Sequence, residues 1–182
     1  MRKTVLTFGL IAGAILSVMM FAIMAFVDRI NFDTAEVVGY TTMVLAFLMV
    51  FFGVKAYRDN VGGGEISFGR AFKVGILITA VATVCYVASW QVIYRTMTPD
   101  FGERYAAHQV EKLREHGATA DEIAAEEQKM ARFAEMYKNP LVNVAFTFLE
   151  PLPVGLVLTL VAAGVLSRRG KRGGVMDMTP GR

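Results

Sequence analysis

A single carboxylic acid, Glu150, interrupts the apolar run over residues 141–167, and Pro151 and Pro153 follow at once. A charged group at the centre of a spanning helix costs about 2.5–3.5 kcal/mol on insertion scales, so an acid there generally serves a proton, ion, ligand or charged partner. Pro151 has no N–H for the carbonyl of Thr147, and Pro153 has none for that of Leu149. A residue before proline also avoids helical backbone, so the run is expected to kink or break at Glu150. Broken helices beside an acid are one way transporters build ion sites. Asn143, Thr147 and Glu150 recur at i, i+4 and i+7, which makes them a candidate polar site on one face pointing into a bundle. Counting back about 20 residues from Arg168 reaches Thr147, so Glu150 is expected in the outer third of the bilayer, where its cost is smaller. The plainer alternative pairs Glu150 with a base such as Arg29 or Arg95 and leaves the prolines only to bend the helix. Both readings stand at this point.

Other residues offer weaker chemistry. Lys55, Arg58, Arg70 and Lys73 flank Gly62-Gly63-Gly64 and are candidate contacts for anionic lipid headgroups. The alternative is a flexible turn into a helix start at Ser67, since such glycines are ordinary turn residues. The loop lacks the Gly-Lys-Ser/Thr ending of a phosphate-binding loop. His108 and His116 do not have the spacing of an HExxH zinc site, and with Glu111 and Glu115 they read as a solvated face. Cys85 is the only cysteine, which excludes an intrachain disulfide framework or a CxxC redox pair and suits a small packing residue. Thr79, Thr83, Tyr86 and Trp90 share a helix face and read as structural glue between helices. Gly9, Gly13 and Ser17 form a ridge of small residues that either packs inside a bundle or joins two subunits. No nucleophile–base arrangement or cofactor motif stands out, so the expectation is a protein without enzymatic activity or cofactor.

The elements that must position these residues follow from hydropathy. The chain has 182 residues, 54% of them hydrophobic, and a mean hydropathy of +0.45. Four apolar runs, 5–27, 37–54, 74–94 and 141–167, approach or exceed the roughly 20 residues that cross a bilayer as a helix. They do not alternate as membrane strands would. The first run is too long for the apolar part of a cleavable signal and no small-residue site closes it, so it reads as an uncleaved span. Arg2 and Lys3, the 55–73 loop, and Arg168, Arg169, Lys171 and Arg172 put basic residues at one set of span ends. By the positive-inside rule both termini are expected in the cytoplasm of an inner membrane. Tyr40, Trp90 and Tyr94 fall near the outer span ends, as interfacial aromatics do.

Between the third and fourth runs, residues 101–137 read as an extracytoplasmic helical hairpin turning at Gly117, with Thr119 and Glu122 as a capping box. Ile123, Met130, Phe133 and Tyr137 form an apolar stripe for the partner helix or the membrane surface. The fold class is therefore all-α: a four-helix transmembrane bundle in one membrane domain over 1–169, with 170–182 a disordered cytoplasmic tail. The net charge of +3 is dispersed at span ends, which argues against nucleic acid as a partner. Membrane lipid, another membrane protein or a second copy of the chain are the partners this composition suits.

Two stretches carry a resemblance. Phe52-Gly53-Val54-Lys55-Ala56-Tyr57-Arg58-Asp59, and Gly64-Glu65-Ile66-Ser67-Phe68-Gly69-Arg70-Ala71-Phe72-Lys73-Val74-Gly75, resemble a bacterial membrane family catalogued as domain of unknown function 4199. Thr98-Pro99-Asp100-Phe101 and the proline-containing fourth run fit it as well. The resemblance implies a four-helix inner-membrane protein and carries no activity or catalytic residue with it. Two functions remain: a membrane component that binds a protein or lipid partner, and a small transporter or channel subunit using Glu150.

Overall fold

A computed structural model describes residues 1–26 and 29–167. Asp28, the tail 170–182 and the terminal bases Arg168, Arg169, Lys171 and Arg172 lie outside the described residues. Within them the chain forms seven helices and no strand: α1 (Arg2–Ala25), α2 (Phe32–Val61), α3 (Phe68–Thr96), α4 (Phe101–Glu115), α5 (Ala120–Tyr137), α6 (Pro140–Leu149) and α7 (Leu152–Leu166). Helices α1, α2, α3 and the continuous stretch Pro140–Leu166 are long and apolar enough to cross a membrane, so the chain is a multi-pass membrane protein. Helices α2 and α3 extend past their apolar runs into the polar flanks. Asn31 accepts a hydrogen bond from the Thr34 N–H at 2.7 Å at the start of α2.

In lipid no hydrophobic drive brings helices together, so close backbone approach through small residues carries the packing. The Gly9–Gly13–Ser17 ridge of α1 meets Val81, Cys85 and Ser89 of α3 in parallel register. A Cβ on Gly9 would sit 2.7 Å from Val81 Cβ, and one on Gly13 would sit 2.6 Å from Cys85 Cβ. Ser89 donates to Ser17 Oγ at 2.7 Å. The ridge thus packs inside one chain, and Cys85 is the packing residue the sequence suggested. A second such contact joins α3 to α7 in antiparallel register. Gly75 faces Thr159, with 2.8 Å from an added Cβ to Thr159 Cγ2, and Gly155 faces Thr79. Thr79 and Thr159, both fully buried, share a hydrogen bond at 3.2 Å between their hydroxyls.

These contacts set an order in which α1 and α7 each pack on both α2 and α3 and lie across the bundle from one another. Phe47, Val50, Val54, Val74 and Ile78 fill the half nearer the α2–α3 turn with no exposed surface. At that end, which we call the glycine-loop end, Gly63 and Gly64 take positive φ of 64° and 89° and let the chain reverse into α3 at the Ser67 N-cap.

The opposite end carries α4 and α5. Gly117 has φ 76°, and Thr119 and Glu122 form the expected capping box, the Thr119 N–H donating to Glu122 at 2.8 Å. Arg114 to Glu127 at 2.6 Å and Lys138 to Glu103 at 3.0 Å tie the two helices together. Lys112 reaches Asp33 at 2.6 Å and anchors α4 to the start of α2, and that hydrogen bond holds the Lys112 ammonium above the usual lysine range. The α5 stripe packs inward: Phe133 meets Tyr105 at a tilt, 5.7 Å between ring centroids, and Phe146 of α6 edge-on at 5.7 Å.

Gly13→Leu is expected to lower unfolding stability in detergent by about 1–3 kcal/mol, the cost of overpacking a tight contact. Gly69→Ala, whose Cβ would meet nothing within 4 Å, should leave it unchanged. Thermal denaturation of the two variants checks the difference.

Candidate functional site: a cavity at the proline break

The fourth span is interrupted where the two prolines remove backbone donors. Helix α6 ends at Leu149 and α7 starts at Leu152. Glu150 keeps helical backbone, φ −60° and ψ −52°, and Pro151 stays in the same region at φ −79° and ψ −14°. The extended backbone expected before proline is therefore not adopted. The helical turn retains two backbone bonds, Glu150 N–H to Phe146 O at 3.2 Å and Gly155 N–H to Pro151 O at 3.0 Å. Where water is absent, keeping such bonds outweighs the local proline clash.

The break changes what the span touches. Helix α7 packs against both α2 and α3, whereas α6 packs against α3 and α5 and makes no extensive contact with α2. The space left at the hairpin end, between α1, α2, α3 and α6 and beneath α4 and α5, is a cavity of about 420 Å³. Glu150 and Thr147 line it from the broken span, and Tyr86 and Trp90 from α3. Glu36 and Tyr40 line it from α2, and His108 from α4. Leu16, Met19, Met20 and Met24 of α1 with Met43 of α2 supply a flexible apolar wall. Aromatic rings cover the hairpin side: Phe32, Phe101, Tyr105, Phe133, Tyr137 and Phe146. Among the described residues no lysine or arginine lines the cavity.

Glu150 accepts a hydrogen bond from the Tyr86 hydroxyl at 2.8 Å. Neither Arg29 nor Arg95 pairs with it, which corrects the ion-pair expectation. The reason lies in the cross-bundle geometry: α6 leans on α3, so the face of α3 carrying Tyr86 reaches the acid first. Asn143 and Thr147 are buried, at 1% and 4% exposure. The Asn143 amide oxygen accepts from Gln91 Nε2 at 2.6 Å, and its Nδ2 has no partner among the described residues. The Thr147 hydroxyl donates to the Asn143 carbonyl at 2.8 Å. The candidate stripe therefore divides: Asn143 fastens α6 to α3, while Thr147 and Glu150 face the cavity. Burial pushes the Tyr137 phenol, above them on α5, up to about 12, so it stays a neutral hydrogen-bonding group near neutral pH.

The remaining candidates fall elsewhere. Trp90 is not an interfacial anchor. It is only 7% exposed and meets Phe101 edge-on at 4.8 Å, because α4 covers this end of the bundle. Thr79 bonds to α7 as glue, and the Thr83 hydroxyl has no partner among the described residues. Lys55 and Arg58 both bind Asp59, at 2.9 and 2.8 Å, while Arg70 and Lys73 are exposed at the start of α3. The four bases thus share the glycine-loop end, far along the chain axis from the cavity. His108 stacks on Phe32 at 5.1 Å and faces Asp33 at 3.5 Å, while His116 Nδ1 lies 2.6 Å from the Lys112 carbonyl. Sequence reasoning missed Tyr86 as the acid's partner and Glu36 and the methionines as cavity wall. Tyr86 had a signal: it is the one phenol deep in the third run, at a depth comparable with Glu150.

These features define a helical multi-pass membrane protein with an acid-bearing cavity where the broken span meets the hairpin. The chain belongs to the family described as protein of unknown function, DUF4199, whose model matches residues 7–168. No curated protein and no solved structure matches it.

Tyr86→Phe is expected to cost about 1 kcal/mol, in the range of side-chain hydrogen bonds between membrane helices. Unfolding in detergent checks this, and in a Glu150→Ala background, where the acceptor is gone, Tyr86→Phe should cost less than it does alone.

Proposed function

We propose that this protein is a non-enzymatic membrane component that takes a small ligand into the cavity at the hairpin end. What carries the reading is the contrast between the two halves of the bundle. The half nearer the glycine loop is filled by fully buried side chains, while the hairpin half holds about 420 Å³ lined by Glu150. That volume lies in the range of small-molecule sites, which are mostly apolar with a few placed polar groups. In the same reading the membrane is the bacterial inner membrane, with both termini cytoplasmic and the cavity on the other side. Lys55, Arg58, Arg70 and Lys73 at the glycine-loop end support this orientation and are placed to meet anionic headgroups. A membrane-protein partner or a second copy would then meet the lipid-facing surfaces of the spans.

Transport is the second reading, favoured by the interruption at Glu150-Pro151. It requires the packed half to open, because the Gly155–Thr79 and Thr79–Thr159 contacts lie beyond Glu150 along the path.

Trp90 is the only tryptophan and lines the cavity, so its emission reports occupancy. Titration of the purified protein with small aromatic solutes of positive, neutral and negative charge is expected to shift that emission saturably for at least one of them. Gly39 lines the cavity and a Cβ there would meet nothing within 4 Å. Gly39→Phe is therefore expected to abolish the shift at unchanged thermal stability. No saturable shift with any solute, or an undiminished shift in Gly39→Phe, would overturn the reading. Uptake of the bound solute into proteoliposomes would move it to transport.

A further inference from the structure

We propose that the cavity selects an amphipathic organic cation, one positive charge carried on an aromatic or aliphatic body. The inference rests on the ligand-binding reading above and adds the chemical class. Three observations converge on it. Both charged residues of the wall that lie on spanning helices, Glu36 and Glu150, are acids, and no lysine or arginine lines the cavity among the described residues. The nearby Lys112 is held by Asp33 at 2.6 Å outside the lining. Tyr40, Tyr86, Trp90, Tyr105 and Tyr137 present aromatic rings to the same space, and ring faces attract cations, tryptophan most strongly. The rest of the wall is methionine and phenylalanine, which suits an apolar body of variable shape.

Other classes fit less well. An inorganic cation such as calcium needs about six to eight oxygen ligands, and no cluster of three or more metal-binding side chains occurs among the described residues. An anion would face two carboxylates, with His108, stacked on Phe32 and facing Asp33, as the one basic side chain of the wall. A neutral solute would leave the Glu150 carboxylate with the Tyr86 hydroxyl as its one hydrogen-bond partner among the described residues. A monocation beside Glu150 compensates that charge where lipid and protein screen it poorly.

Tetraphenylphosphonium, its neutral relative triphenylphosphine oxide and the anion tetraphenylborate serve as probes of similar bulk, read by Trp90 emission on the full-length protein. The phosphonium is expected to bind at least tenfold more tightly than the neutral probe, with no saturable response to the borate. Glu150→Gln keeps the size of the side chain and an acceptor for Tyr86, and should weaken phosphonium binding at least tenfold while leaving the neutral probe unchanged. Glu36→Gln is a second variant, distant from the proline break, expected to weaken the phosphonium in the same direction. Equal affinity for cation and neutral probe, or phosphonium binding unaffected by both variants, would overturn the cation class and leave the ligand-binding reading standing. A silent response to all three probes would overturn both.

Discussion

Two missing backbone donors govern this molecule. In water, the carbonyls freed by Pro151 and Pro153 would be solvated at little cost. In a bilayer each unsatisfied group costs several kcal/mol, so the chain keeps helical bonds on either side of the break, from Glu150 N–H to Phe146 O and from Gly155 N–H to Pro151 O. Glu150 stays helical, α6 and α7 separate as hydrogen-bonded units, and only α7 keeps its packing on α2. The cavity is the volume that this partial separation leaves. Glu150 faces it because the break and the acid occupy the same turn.

The rest of the bundle resists the break. Glycines and hydroxyl residues let α1 approach α3 and α3 approach α7 at near backbone contact, which fixes α3 as the common scaffold. Tyr86 lies on that scaffold two turns beyond Thr79 on the same face, so its hydroxyl meets Glu150 without a flexible partner having to be ordered. The hairpin closes the open end with aromatic rings and is itself held by Lys112 and Asp33. A rigid half and a hollow half follow from one sequence of contacts.

Much of this was legible in the residues. Hydropathy alone gives four helices, because only a helix or a closed barrel satisfies its backbone in lipid and the runs do not alternate. The capping box at Thr119 and Glu122 and the turn at Gly117 could be placed because their bonds are local. The Gly9–Gly13–Ser17 ridge showed that a close contact exists, but its partner on α3 depends on which spans are neighbours, and hydropathy is silent on that order. For the same reason Glu150 could be singled out while Tyr86 could not be paired with it, and Trp90 looked interfacial until α4 was seen to cover it. Glu36 reads as a loop-end acid in the sequence and becomes cavity wall where α2 and α6 make no extensive contact.

The claim that the prolines hold α6 off α2 and so keep the cavity open is tested most directly by spin-label distances. Labels at the exposed positions Val37 and Leu141 bracket the hairpin half, and labels at Phe52 and Val161 bracket the packed half. In the Pro151→Ala/Pro153→Ala variant, which restores both backbone donors, the first distance is expected to shorten and the second to stay fixed. An unchanged Val37–Leu141 distance in that variant would contradict the account.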